Sequence, residues 1–231
     1  MNDSLPRQVV AITGAFGNLG ETLARMVAAQ GNDLVLIDHA TCSIASSSQR
    51  LMLPGIDLTS YSDCQEVARR IQEHFGRLDA LVNVAGGFAW ETVQHGETNT
   101  WDRLYELNVR TALNTSKALL PLLLESSGGR IVNIGAGAAA KAGFGMGAYA
   151  ASKSAVLRLT ESLAEELKDK GITVNAVLPS ILDTPQNREA MPDAEHDRWV
   201  TLTQLSEVIL FLLSPASSAI TGAGIPVTGR V

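Results

Sequence analysis

The chain has 231 residues, 45% hydrophobic and 18% charged, which suits one α/β domain long enough to bury a large core. A net charge of −6 with no basic stripe argues against nucleic acid and anionic membranes as partners. The two cysteines, Cys42 and Cys64, and the four scattered histidines form no metal or redox motif, so no metal site is expected.

The opening stretch MNDSLPRQ lacks the charged-then-apolar layout of a signal peptide, and no apolar run approaches a membrane span. With both cysteines read as free thiols, a cytoplasmic protein is expected. Gln8 to Thr13, QVVAIT, is a Val/Ile-rich run bounded by glycine and reads as a buried strand. GAFGNLG, Gly14 to Gly20, follows it. Leu19, Leu23, Met26 and Val27 then recur at helical spacing until Gly31, and Asn18 with Glu21 resembles a capping box. Strand, glycine turn and helix N-terminus form the geometry that holds a pyrophosphate, because backbone N–H groups and the helix dipole face the anion.

Leu34 to Asp38 is a second strand ending in an acid. Asp38 lies 18 residues past Gly20, near where a carboxylate binds adenosine ribose hydroxyls and repels the extra phosphate of NADP. His39 to Gln49 shows little helical pattern and reads as a loop. Leu51 to Ile56 is a short strand broken by Pro54, which belongs at the sheet edge. Asp57 after it either reaches an adenine edge or caps the next helix, Ser62 to Phe75. Leu78 to Val84 is the fourth strand. It runs into Ala85, Gly86 and Gly87, where backbone can pass beside a ligand, and Asn83 at its end is expected to bond neighbouring backbone. Phe88 and Trp90 on the next loop suit stacking on a flat substrate or plain packing.

Thr100 to Leu124 reads as one long helix with Trp101, Leu104, Tyr105, Asn108, Ala112, Thr115 and Leu119 on one stripe. Asn108 is therefore a buried amide that needs partners. It either bends the helix through a local bond, supports a proton relay, or holds an active-site lysine. Arg130 to Ile134 is the fifth strand. In Gly147 to Leu163, Tyr149 and Lys153 stand four residues apart and leave one helix face. An ammonium beside a phenol favours phenolate, so the tyrosine pKa is expected to fall and the tyrosine to serve as a general acid or base. Ile172 to Leu178 is the sixth strand. Residues 186–200 are polar and irregular, with Met191 and Trp199 as lid contacts. Leu205 to Leu213 is a helix and Ala223 to Val227 the last strand. This alternation predicts a single α/β domain over residues 1–231. Its architecture is a doubly wound, Rossmann-like parallel sheet of about seven strands with helices on both faces.

Several of these pieces, in this order and spacing, resemble the short-chain dehydrogenase/reductase family over almost the whole chain. They are TGAFGNLG, Asp57, NVAG at Asn83 to Gly86, Asn108, YAASK at Tyr149 to Lys153, and Pro179 to Thr184. The resemblance implies that Tyr149 gives or takes the substrate proton. Lys153 would bind the nicotinamide ribose and lower the tyrosine pKa, and Asn108 would support a relay. On the cofactor it implies Gly14, Gly17, Asn18, Leu19, Gly20, Asp38, Asp57, Asn83, Ala85, Gly86, Tyr149, Lys153, Pro179 and Thr184, the last at the carboxamide. NAD(H) is favoured over NADP(H) through Asp38. A substrate wall of Phe88, Trp90, Phe144 and Met146, a lid over about 183–204, and a homodimer or homotetramer complete the expectation.

The sequence departs from the family pattern in two ways. The glycines are spaced GxxGxxG rather than GxxxGxG, and the serine usual 13 residues before the tyrosine is Ala136. Losing such an oxyanion-type donor costs on the order of 10²-fold in rate. The chain also looks like dihydropteridine reductases, which lack that serine, at NVAGGFAW, at GAGAAAKAGFGMGAY and over Leu178 to Trp199. The resulting expectation is hydride transfer from NADH to a small conjugated imine or carbonyl, such as a quinonoid dihydropterin. The alternatives are a general carbonyl or 3-oxoacyl reductase, and a catalytically silent NAD-binding sensor or subunit.

Overall fold

The computed structural model describes residues 7–231; Met1 to Pro6, part of the stretch read for targeting, lie outside the described residues. Seven parallel strands form one sheet in the order β3-β2-β1-β4-β5-β6-β7. They are β1 (Val9–Thr13), β2 (Asp33–Ile37), β3 (Arg50–Leu53), β4 (Ala80–Asn83), β5 (Arg130–Ile134), β6 (Thr173–Pro179) and β7 (Gly224–Val227). The central strands are apolar along nearly their whole length because helices cover both faces, which is why they read as runs rather than alternations. Helices α2 (Tyr61–Phe75), α4 (Thr111–Leu124) and α5 (Gly147–Leu167) bury one face, around Leu81, Ile131 and Leu119. On the other, α1 (Asn18–Ala29) and α7 (Leu202–Leu213) pack on Ile12, Val82 and Val132. Each fully buried Ile or Leu here contributes roughly 1.5–3 kcal/mol relative to exposure.

Strand β3 stops at Leu53, immediately before Pro54, and sits at the sheet edge, and the segment between β2 and β3 holds no helix. The long helix expected over Thr100 to Leu124 is instead α3 (Thr98–Tyr105), a π-helical segment Glu106–Arg110 and α4. A π turn takes an extra residue and rotates the α-helix on one side of it against the α-helix on the other. That rotation corrects the expected stripe: Leu104, Asn108, Ala112, Thr115 and Leu119 are buried, whereas Trp101 and Tyr105 are 43% and 47% exposed.

Residues 186–200 are less irregular than their composition suggests. Thr184 caps a short helix α6 (Pro185–Ala190) by accepting from the Asn187 N–H at 3.2 Å, with Pro185 in its first turn. Trp199 is buried and rests against the His196 ring, centroids 4.4 Å apart, so it is a core residue rather than the expected lid contact. The segment is rooted where Leu182 and Val200 pair as a parallel bridge. Strand order reverses between β1 and β4, which opens a crevice at the carboxyl ends of these strands, the place where open α/β sheets bind ligands.

Candidate active site

The glycine turn is built at that crevice. Gly14 has φ +59°, and a Cβ there would stand 2.9 Å from the Ala85 N, so this turn and the loop after β4 touch backbone to backbone. A Cβ on Gly20 would lie 2.2 Å from the Gly14 carbonyl oxygen, which fixes how closely α1 approaches the turn. Thr13 at the end of β1 accepts from the N–H groups of Val84 and Ala85, both at 3.0 Å, tying the two loops together. Gly17 is the N-cap and has no side chain to offer, so the capping box expected of Asn18 and Glu21 does not form. Asn18 begins the helix, and its Nδ2 donates to Gln186 Oε1 at 2.8 Å. Among the described residues no acceptor meets the N–H groups of Asn18 and Leu19.

Asp38 directly follows β2 and holds the turn from the side: its Oδ2 accepts from Phe16 N and its Oδ1 from Ala40 N, both at 2.9 Å. Asp57 accepts from the Thr59 hydroxyl and N–H at 2.7 and 2.9 Å, and these bonds lower its pKa. The next helix is capped by Ser60, so the capping alternative for Asp57 is set aside. Asn83 points inward, and its bonds go to side chains rather than the backbone expected. Its Nδ2 donates to Asn133 Oδ1 at 2.8 Å and to Ser116 Oγ at 3.1 Å, and Asn133 Nδ2 donates to Thr160 Oγ1 at 2.9 Å. The β4–β5 register pairs Asn83 with Asn133, which makes this buried chain possible.

Asn108 emerges from the π segment toward the loop after β4. Its Oδ1 accepts from Gly87 N at 2.8 Å, while its Nδ2 donates to Gly87 O at 3.1 Å and to Ser152 Oγ at 2.9 Å. A Cβ on Gly86 would meet Asn108 Oδ1 at 2.6 Å and Lys153 Nζ at 3.4 Å, so only glycine lets both groups close on that backbone. Lys153 is buried and donates to the Ile134 carbonyl at 2.7 Å. Desolvation pushes it down to about 8. The Lys153 ammonium lies 6.0 Å from the Tyr149 ring centroid. The phenol is nevertheless pushed up to about 12 by burial, a correction to the expected fall, because desolvation outweighs the ammonium at this distance.

Phe88 stands edge-on to Tyr149 with centroids 4.9 Å apart. Trp90 leans on Phe144 at 5.6 Å, and a Cβ on Gly145, whose φ is +72°, would be 2.4 Å from the indole. Glu91 N donates to the Gly145 carbonyl at 2.8 Å, and Glu91 and Met146 pair as a bridge, so two loops carry one aromatic wall. A cavity of about 110 Å³ lies behind that wall, lined by Glu91, Val93, Trp101, Gly145 and Ala148 among others, and does not include Tyr149 or Lys153. Ala136 is buried, extended and apolar at the carboxyl end of β5. Pro179 ends β6, and Thr184 begins α6. Sequence reasoning missed Thr13, Ser152 and Gln186. Thr13 and Ser152 were visible as hydroxyls beside recognised motifs, but Gln186 gave no signal.

A parallel sheet with a glycine turn at its point of reversal, and a buried Tyr–Lys helix beside it, defines an α/β oxidoreductase of the dinucleotide-dependent class. The sequence model of the short chain dehydrogenases matches residues 8–195, and the chain belongs to that family. It is 30% identical to a 2-(S)-hydroxypropyl-CoM dehydrogenase of Xanthobacter autotrophicus, covering 99% of this chain and 98% of that one. It is 28% identical to a 3-oxoacyl-[acyl-carrier-protein] reductase of Thermotoga maritima, over 97% and 98% of the two chains. Among solved structures it superposes on a glucose/ribitol-type short-chain dehydrogenase/reductase from Brucella melitensis with TM-score 0.88 and 28% identity, over 96% and 95% of the two.

Proposed function

We propose that this oxidoreductase prefers NAD(H) and reduces a small conjugated imine or carbonyl, with a quinonoid dihydropterin the first substrate to try. The observation that carries the reading is Ala136, a buried methyl just past the carboxyl end of β5, where the family pattern has a serine. With no hydroxyl there, Tyr149 acts alone on the substrate heteroatom. A quinonoid ring is already electrophilic and gains aromatic stabilisation on reduction, so one acid suffices. The edge-on Phe88 and the Trp90–Phe144 pair offer flat apolar faces to such a ring.

The residues present fit a dinucleotide. The free N–H groups of Asn18 and Leu19 face the crevice, and Gly14, Gly17 and Gly20 admit a pyrophosphate. Asp38 keeps lone pairs on both oxygens for ribose hydroxyls, and its charge disfavours a phosphate there. Asp57 reaches the adenine side. Asn83, through its side-chain network, and Ala85 and Gly86, through their backbone, shape the floor beside the nicotinamide ribose. Lys153 holds that ribose, Asn108 fixes Gly87 and Ser152 around it, and Pro179 and Thr184 border the carboxamide. When bound, the nicotinamide supplies a hydride. Tyr149 donates the proton from its phenol, with Phe88 edge-on to its ring. Residues 183–204 form the lid. Copies pair as a dimer or tetramer, supported by the exposed Trp101, Tyr105 and Leu113 on α3 and α4.

The test is NADH oxidation with quinonoid dihydropterin beside a ketone panel, on wild type and Tyr149→Phe. Pterin turnover lost in the variant is the expected result, and full turnover by Tyr149→Phe would overturn the mechanism. The Thermotoga relative favours a second reading, a general carbonyl or 3-oxoacyl reductase, which predicts Tyr149-dependent ketone reduction and no pterin turnover. Tight NADH binding without turnover on any substrate would instead mark a silent NAD-binding sensor or subunit.

A further inference from the structure

Helix α6 is rigidly rooted at one end of its segment. Asn187 Nδ2 donates to the Leu182 carbonyl at 2.8 Å, Asp183 N donates to Val200 O at 2.8 Å, and the Arg188 guanidinium forks onto the Asp183 carboxylate at 2.5 and 2.9 Å. These bonds all lie on the Leu182–Val200 side. Toward the crevice, the Gln186–Asn18 amide pair, at 2.8 Å, is the one hydrogen bond among the described residues that joins 183–199 to α1 or the turn before it. Asn18 is also the residue whose free N–H, with that of Leu19, opens the helix start to an anion. A pyrophosphate reaching those N–H groups therefore arrives at the residue whose side chain makes this exposed bond, between two neutral groups 168 residues apart in sequence.

We infer that Gln186 and Asn18 form a latch across the pyrophosphate site, making Gln186 a positioning residue that gates entry and release of the dinucleotide without binding it. The inference rests on the dinucleotide reading above. A latch that must open in both directions raises the barrier to both, so its loss speeds both and leaves affinity alone. Both partners are uncharged amides, so the gate is insensitive to salt, unlike the attraction of the phosphates themselves.

The test is stopped-flow NADH fluorescence on wild type, Gln186→Ala, Asn18→Ala and the double variant. Association and dissociation rate constants should both rise about 2- to 10-fold in Gln186→Ala, the range one uncharged hydrogen bond supports. The Kd should stay put, and the double variant should be no faster than the singles. Gln186→Met, which keeps the length and loses the acceptor, should behave like Gln186→Ala. Without nucleotide, trypsin should cut after Arg188 faster in Gln186→Ala than in wild type. Unchanged rate constants, additive single effects, unchanged cleavage, or a rise in dissociation alone each overturns the latch; the last would show direct contact with the ligand. Wild type that binds neither NADH nor NADPH overturns the dinucleotide reading itself, whereas wild type that binds while Gln186→Ala keeps wild-type rates overturns the latch alone.

Discussion

Replacing Lys153 by methionine should stabilise the fold at neutral pH. The lysine is buried and donates to the Ile134 carbonyl, and among the described residues no carboxylate pairs with it. Its pKa falls from 10.5 to about 8, so below pH 8 the folded protein holds a charge that burial disfavours. Converted at 1.36 kcal/mol per unit, that penalty is roughly 3 kcal/mol. Losing the charge-assisted hydrogen bond offsets about 2 kcal/mol, leaving a gain of about 1 kcal/mol for Lys153→Met. At this chain length that raises Tm by roughly 2–4 °C. The gain fades as pH rises and then reverses. Between about 8 and 10.5 the folded lysine sheds its proton while the unfolded one keeps it, so wild type gains on the variant and the difference closes and then turns in favour of the wild type. Urea unfolding of both proteins at pH 7, 8.5 and 10 measures this directly. A variant less stable than wild type at pH 7, or a gap that stays constant with pH, would refute the account.

Three further perturbations read other parts of the site. Ala136→Ser should raise kcat/KM for simple ketones on the order of 10²-fold, because it adds a donor where the proposed mechanism puts the substrate oxygen, and a ketone panel measures it. Asn133→Ala leaves one Asn83 N–H without an acceptor and Thr160 Oγ1 without its incoming donor, and should lower stability by about 1–3 kcal/mol, read as a drop in the urea midpoint. Gly145→Val should raise KM with little change in kcat, because its side chain would stand where the Trp90 indole rests and its φ of +72° resists a β-branched residue.

The fold was legible because its signals are local and repeated. Val9–Thr13 and Arg130–Ile134 are apolar runs that only a sheet covered on both faces explains, and the glycine turn, Asp38, Tyr149 and Lys153 all end up around one crevice. What was not legible depended on long-range packing. Composition around residue 106 carries no mark of a π turn; the extra residue serves to bring Asn108 onto Gly87 and Ser152, contacts made across the fold. Thr184 and Pro185 were there to announce a helix start, yet the polar run after them masked α6. The Asn83 network needed the β4–β5 register, which no single strand contains.

The tyrosine pKa was misjudged for a related reason. Spacing showed that an ammonium is near the phenol, and spacing cannot show how much water either has lost. Burial moves the two groups in opposite directions, the phenol up to about 12 and the ammonium down to about 8. Through neutral pH both therefore keep their protons: Tyr149 is poised as an acid and Lys153 as a cation. In that state the phenol holds a proton to give, as the proposed reduction requires. The reductive kcat/KM should hold level up to about pH 8 and decline above it as Lys153 loses its charge, while the phenol is still protonated. A pH profile of the reduction measures this. In Lys153→Arg the decline should vanish or move well above pH 8, because arginine keeps its charge. A decline that stays near pH 8 in that variant would show that some group other than Lys153 sets it.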